Sequence, residues 1–311
     1  MSAAADTVLP FLAPLIAAQF LISNRQPLSA KQAIGMAVMI VVAGQVLTVA
    51  TALLGERPLV MITLLGLVYF LFFLIQAQGK GGPALLLVLV VAVIVPLLGI
   101  LNLDLGESVV GLLVKAVAGG ALLAWVAHAL VPDLPGGEAE TPPPLPAYAP
   151  VQRALASAAI LLAMMVLCLV DSGLSTAVVI PVTVASLLCQ FDLATSRRAA
   201  LGLMIVNLLG GIAASFAFLI IEIRPLLASL FLVVFLVALL FGHAAASNAT
   251  TGKIYAGALT TFLILLGLGV SPLPTSTPES FTTRITYVAF AIAYTVVLIT
   301  FLWPRDRRIA H

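Results

Sequence analysis

The chain has 311 residues, of which 62% are hydrophobic and only 8% are charged, and its mean hydropathy is +1.23. Soluble domains carry about 25% charged residues, so this composition excludes a water-soluble globule of this size. The net charge is only +2, and the basic residues are spread between apolar runs; they indicate membrane topology rather than a nucleic-acid-binding surface.

Apolar runs of the length that a transmembrane helix needs recur all along the chain. They predict an all-α, polytopic membrane protein with about eleven transmembrane helices. The first run is short, and the sixth and seventh are joined only by Asp171-Ser172-Gly173, which predicts a tight helical hairpin turn. The runs lie near 8–22, 33–54, 58–77, 83–101, 108–131, 153–170, 173–190, 199–221, 225–243, 254–270 and 283–303.

The basic residues between the runs predict the orientation of the chain. Ten of them lie in loops that follow odd-numbered runs, and three lie on the opposite side. Because cytoplasmic loops carry an excess of Lys and Arg, we expect the C-terminus and the linker 132–152 to be cytoplasmic. The ten are Arg25, Lys31, Lys80, Arg153, Arg197, Arg198, Lys253, Arg305, Arg307 and Arg308, and the three are Arg57, Arg224 and Arg284.

Two copies of one helical unit follow each other in the sequence. Runs 1 to 3 align with runs 7 to 9 without a gap, at one constant offset, and later pairs align at a slightly larger constant offset. Six spans separate a run from its copy, so the repeats are parallel and related by an axis along the membrane normal. The first offset pairs Pro14 with Pro181, Gly44 with Gly211, Arg57 with Arg224 and Pro58 with Pro225, and the second pairs Glu107 with Glu279 and Pro132 with Pro304.

The repeat divides the chain into four parts. These are a first transmembrane repeat at 1–131, a linker at 132–152, a second transmembrane repeat at 153–304 and a basic cytoplasmic tail at 305–311. The first copy has five spans and the second has six; the first copy either lost its leading helix or begins at a start site downstream of the true one. The linker is rich in Pro, Gly and acidic residues, which predicts a mobile tether.

A recurring pattern of a Pro-bearing helix, a basic turn and a Gly-bearing helix followed by Arg-Pro resembles a known family. The segments LPFLAPLIAAQFL and SAKQAIGMAVMIVVAG are similar to the signature of fusaric acid resistance-like and aromatic acid exporter proteins. The second copy repeats it as TAVVIPVTVASLL and TSRRAALGLMIVNLLGG, so the resemblance covers nearly the whole chain. Long members carry a large cytoplasmic domain where this chain has only the linker, so it resembles the short, membrane-only branch.

The resemblance implies proton-driven export of small organic acids, often aromatic, across a bacterial inner membrane, commonly with a periplasmic adaptor (membrane-fusion) protein. No G-x-x-x-x-G-K-[ST] loop occurs in the sequence, which agrees with transport that is not driven by a nucleotide. The expected partners are the lipid bilayer and an organic anion, with an assembly of identical copies left open. We expect neither a nucleic acid nor a cofactor.

Two other functional classes compete with a secondary exporter. A passive channel, or a structural subunit of a larger efflux assembly, fits the same apolar pattern. An intramembrane enzyme acting on lipid would need clustered acids, paired histidines or an activated nucleophile. The chain has three histidines and no acidic cluster, so we expect that it is not an enzyme. Cys168 and Cys189 lie inside apolar runs and are interpreted as small core hydrophobes.

Charged side chains inside a span are the first candidates for a substrate path, because they are costly in lipid. Lys115 lies eight residues past Glu107, about 12 Å into its helix at 1.5 Å per residue. It either provides the counter-charge for an anionic substrate or extends its amine to the outer interface. Arg284 lies in the matching helix of the second copy, one turn nearer the surface.

Neutral polar residues and prolines inside the spans form a second group of candidates. Gln19, Gln45 and Asn207 need hydrogen-bond partners on other helices, or on a substrate. Pro14 and Pro181 lie at matching depths, where a broken helix would offer carbonyl groups to a substrate; an ordinary tolerated kink is the alternative.

Two residues are candidates for proton coupling. Asp171 could accept a proton if its turn enters the membrane, although capping of the next helix at the water surface is the favoured interpretation. His243 lies at a cytoplasmic helix end, where an imidazole could relay protons. His128 lies three residues after Trp125, a pair that is typical of an interfacial belt.

Overall fold

The structure is a computed structural model, and every secondary-structure element in the part it describes is helical. The all-α prediction is therefore confirmed for these residues. The described residues are 12–23, 28–80, 83–101, 103–130, 149–171, 174, 178–192, 197–223, 227–247, 255, 257–263, 266 and 281–302.

Each of the eleven predicted apolar runs contains described helical residues. The helices are α1 (Leu12–Ser23), α2 (Ala30–Leu54), α3 (Pro58–Ile75), α4 (Pro83–Leu101), α5 (Leu103–Leu130), α6 (Ala149–Val170), α7 (Val179–Asp192), α8 (Arg197–Ile223), α9 (Leu227–Ser247), α10 (257–263) and α11 (Phe281–Leu302). A π-helical turn, Gln76–Lys80, directly follows α3. The linker 132–152 lies outside the described residues except at its end, where α6 begins at Ala149.

Local sequence explains where two of these helices begin. Before α2, the backbone N–H of Gln32 donates a hydrogen bond to the Oγ of Ser29 at 3.2 Å. In return, the backbone N–H of Ser29 donates to the Oε1 of Gln32 at 3.1 Å. This reciprocal pair is a capping box, which satisfies amides that have no partner inside the helix. Pro58 is the first residue of α3, a position where a proline loses no intrahelical bond.

Four described helical segments are long and apolar enough to cross a membrane: Ala30–Leu54, Pro58–Gln78, Gly106–Leu130 and Val151–Val170. Large apolar side chains remain exposed along α2 and α9, among them Val42, Val46, Phe231 and Phe235. Continuous apolar exposure of this kind is rare on soluble proteins and suits contact with lipid. The chain thus has the helices of a membrane protein, whereas the crossing of all eleven runs stays a prediction.

Described helices lie in the matching segments of both sequence copies. The two-repeat arrangement and its parallel orientation stay predictions.

Contacts between Cα atoms divide the chain into two compact units, and each draws on both sides of the linker. Unit 1 comprises Met1–Val42, Ser108–Gly137 and Ala194–Val288, and unit 2 comprises Ala43–Glu107, Glu138–Leu193 and Ala289–His311. The units are therefore not the two sequence repeats themselves.

Small residues let the helices of unit 1 approach closely. A Cβ atom on Gly120 of α5 would lie 2.7 Å from the Cγ2 of Ile16 in α1, and one on Gly210 of α8 would lie 2.7 Å from the carbonyl oxygen of Ala258 in α10. Neither contact leaves room for a side chain. One apolar cluster of this unit contains Ala214, Ala217, Val233, Leu259, Phe262 and Leu266.

Unit 2 is built around the packing of α3 against α6, with α4 and α7 completing the bundle. Gly66 of α3 allows this approach, since a Cβ atom there would lie 3.0 Å from the Cδ2 of Leu162. The phenol of Tyr294 in α11 donates to the carbonyl of Ile160 at 3.0 Å. Cys168 and Cys189 are buried inside α6 and α7, as expected of small core hydrophobes.

The predicted hairpin turn between the sixth and seventh runs is wrong. Leu174 and Val178 lie in turns, and α7 begins only at Val179. The physical reason is Pro181: a helix starting at residue 173 would place it in the interior, where its ring clashes with a carbonyl of the preceding turn. A start at Val179 puts it in the first turn instead.

Candidate functional site

The helix α7 is the most enclosed element of unit 2. Its residues from Ile180 to Cys189 are all buried, and it lies against α4, α6 and the π-turn Gln76–Lys80. Its 14 described residues span about 21 Å at 1.5 Å per residue. A helix that protein encloses in this way is unlike the lipid-facing helices of the same chain.

Hydroxyl groups are the buried polar side chains of this region. Thr183 and Ser186 are buried three residues apart on α7, so they share one face of the helix. Ser157 of α6 is fully buried, and its Oγ has no hydrogen-bond partner among the described residues. Thr51 of α2 is also buried, and its hydroxyl donates to the carbonyl of Leu47 at 2.8 Å.

The end of α7 is bound to the π-turn by a side chain. The Nε2 of Gln76 donates to the carbonyl oxygen of Cys189 at 2.9 Å. Gln76 thus binds a main-chain carbonyl in the last described turn of α7. Its own Oε1 is buried without a partner among the described residues. π-turns of this kind are frequent at functional sites.

A proline and a tyrosine are paired between α4 and α3. Pro96 lies inside α4 and has no N–H, so the carbonyl of Ala92, four residues earlier, loses its helical donor. The phenol of Tyr69, which is fully buried in α3, donates to that carbonyl at 3.2 Å. Tyr69 thereby provides the hydrogen bond that the proline removed.

The two cationic candidates, Lys115 and Arg284, lie in different helices. Lys115 lies in α5 within the segment Gly106–Leu130, and its side chain is exposed. It shares this exposed face with Gly111, Ala118 and Leu122. Arg284 belongs to α11, but its side chain lies outside the described residues. Lys115 is therefore not enclosed within either bundle.

The neutral candidates are likewise separated from one another. Gln45 is exposed on α2. Pro181 is buried in the first turn of α7, where a missing N–H breaks no helical bond, so it starts the helix instead of interrupting it. Pro14 is exposed in α1. Gln19 and Asn207 belong to α1 and α8, but their side chains lie outside the described residues.

The proton-coupling candidates are both exposed. Asp171 follows α6, and its carbonyl accepts the backbone N–H of Leu174 at 3.0 Å. It does not cap α7 as the sequence favoured, because that helix begins eight residues later at Val179. His243 is exposed near the end of α9.

The aromatic pair in α5 is anchored to main-chain carbonyls. The indole N–H of Trp125 donates to the carbonyl of Leu28 at 2.6 Å, and Nδ1 of His128 lies 2.9 Å from the carbonyl of Ala124. Both side chains are half-buried, as is common for residues at a membrane interface.

The sequence analysis did not single out the buried polar groups of unit 2. Gln76 looked like an ordinary polar residue at the end of an apolar run, and Ser157 like one hydroxyl among many. Pro96 was a usable signal, because a proline inside an apolar run frees a carbonyl that needs a new donor. No known protein family, curated protein or solved structure matches this chain.

Proposed function

We propose that this chain is a secondary exporter of small organic acids, in particular aromatic ones, in the inner membrane of a bacterium. The observation that carries the proposal is α7: a helix enclosed by protein, with the hydroxyls of Thr183 and Ser186 buried along one face. Polar groups inside a membrane bundle are costly and mark candidate substrate sites.

The position of α7 in the sequence supports the same proposal. Transporters built from two repeats form their sites from short or Pro-bearing helices that occupy corresponding places in the two halves. Here α1 and α7 both contain a proline. Pro14 and Pro181 stand at the offset of the repeat.

The membrane orientation in the proposal follows from the distribution of charge, and the direction of transport follows from the family resemblance. With the C-terminus and the linker 132–152 in the cytoplasm, the membrane is crossed several times and the acidic loops face the periplasm. Export is driven by the proton gradient, and a periplasmic adaptor protein receives the exported acid. Each of these elements is part of the proposal and rests on the sequence and its family resemblance.

A strain that lacks the chain provides the test. Its sensitivity to a panel of aromatic weak acids is measured before and after complementation with the wild type, with Thr183→Val and with Thr63→Val. Both variants exchange a hydroxyl for a methyl group. Thr183 is buried on α7, whereas Thr63 is exposed on α3 and donates to the carbonyl of Leu59.

The wild type and Thr63→Val should restore resistance to at least one acid, and Thr183→Val should not. Amounts of membrane-inserted protein are compared so that the result reports activity rather than folding. Equal sensitivity of the deletion strain and its parent to every acid would contradict the proposed export of aromatic acids.

A further inference from the structure

The orientation of the Gln76 amide is fixed by its neighbour. The carbonyl of Cys189 can only accept a hydrogen bond, so the group 2.9 Å from it must be the amide nitrogen. The amide oxygen therefore points away from that carbonyl. It is buried, and no described protein group lies within hydrogen-bond distance of it. An amide oxygen only accepts hydrogen bonds, and a buried acceptor without a donor is unfavourable, so this atom requires a donor.

The surroundings of this oxygen favour the same kind of partner. The π-turn that carries Gln76 lies against both α6 and the C-terminal half of unit 2's enclosed helix α7. An amide oxygen carries a partial negative charge and only accepts hydrogen bonds, so it attracts a hydrogen-bond donor and repels a carboxylate. Burial of a full positive charge costs more than its interaction with such a partial charge returns.

We propose that the junction of the π-turn Gln76–Lys80 with the end of α7 binds the hydrogen-bond donor of an uncharged small molecule. The donor is the O–H of a protonated carboxylic acid or phenol, or the N–H of an amide. This inference rests on the proposed export function and deepens it: an organic acid is bound here in its protonated form, and the ionised carboxylate is excluded.

Binding to the purified full-length protein in lipid nanodiscs tests the inference with two matched probes. Benzamide has two N–H donors, and N,N-dimethylbenzamide has the same ring and carbonyl but none. The wild type should bind benzamide about tenfold more tightly, as expected for one added hydrogen bond in a buried site. Benzoate and benzylammonium, which are ionised at neutral pH, should bind more weakly than benzamide.

The variant Gln76→Met keeps the length of the side chain and removes the amide. It should bind both amides with the affinity that the wild type has for N,N-dimethylbenzamide. Thr48→Val is the matched control, because Thr48 is another residue of unit 2 with a buried side-chain oxygen that lacks a described partner. This control should preserve the tenfold preference for benzamide.

Several results would overturn the inference. They are equal affinity of the wild type for the two amides, no binding of either, tighter binding of benzoate or benzylammonium, and an unchanged preference in Gln76→Met. The comparison of probes on the wild type decides the matter even if Gln76→Met fails to insert. Efflux of labelled benzoic acid is measured in parallel. Donor-dependent binding without efflux refutes the exporter but keeps the site, and efflux without a preference refutes the site alone.

Discussion

The hydrogen bond from Tyr69 to the carbonyl of Ala92 should stabilise the protein only because Pro96 has removed the helical donor of that carbonyl. This dependence can be measured as a change in the free energy of unfolding. Tyr69→Phe removes the phenolic hydroxyl and keeps the ring. The Ala92 carbonyl then has neither a helical N–H, because residue 96 is a proline, nor the hydroxyl that replaces that donor. Interhelical hydrogen bonds in membrane proteins contribute about 0.6 kcal/mol on average and up to ~1.7 kcal/mol. Since Tyr69 is fully buried and the carbonyl has no other described donor, we expect a loss of about 1–2 kcal/mol in the free energy of unfolding.

A double-mutant cycle separates this hydrogen bond from simple loss of packing. Pro96→Ala restores an N–H that can donate to the Ala92 carbonyl, so Tyr69→Phe should cost less than about 0.5 kcal/mol in that background. The free energies are measured by reversible unfolding in mixed micelles, and Tyr294→Phe is a comparison variant whose acceptor, Ile160, is not followed by a proline at the fourth residue. An equal cost of Tyr69→Phe with and without Pro96 would refute the reasoning.

Three further predictions concern other parts of the chain. Gly120→Ala should destabilise the protein by about 1–3 kcal/mol in the same unfolding assay, because its Cβ would lie 2.7 Å from Ile16, whereas Gly111→Ala, with nothing within 4 Å, should have little effect. Lys115→Ala should abolish efflux of a labelled aromatic acid and Lys115→Arg should keep part of it if this exposed cation guides an anionic substrate; full activity of Lys115→Ala would remove it from the mechanism. Protease added to inside-out vesicles should cut the linker 132–152, and cleavage from the periplasmic face only would reverse the topology.

The helices were predictable from the sequence because each depends mainly on the hydropathy of its own residues. Uninterrupted apolar runs placed every described helix, and Pro58 marked the first residue of α3 correctly. The start of α7 was misplaced because hydropathy alone does not separate apolar turn residues such as Leu174 and Val178 from helical ones. The position of Pro181 carried the missing information, since a proline is tolerated in a first turn and disfavoured beyond it.

The candidate site was less predictable, because it depends on contacts between distant segments. Gln76 and the carbonyl of Cys189 are 113 residues apart, and no periodicity of the sequence relates them. Charge alone instead indicated Lys115, which is exposed, and Asp171, which is exposed directly after α6. Rare residues are visible in a sequence, whereas burial of a common residue such as Ser157 is decided by what packs around it.

Accumulation of a labelled aromatic acid in inside-out membrane vesicles tests the proposed export most directly. Such vesicles have an acidic interior when energised, and a weak acid that merely diffuses is then depleted inside. The proposal predicts accumulation above the concentration of the medium, dependent on the chain and abolished by a protonophore. The same distribution as in vesicles that lack the chain would contradict transport of these acids altogether.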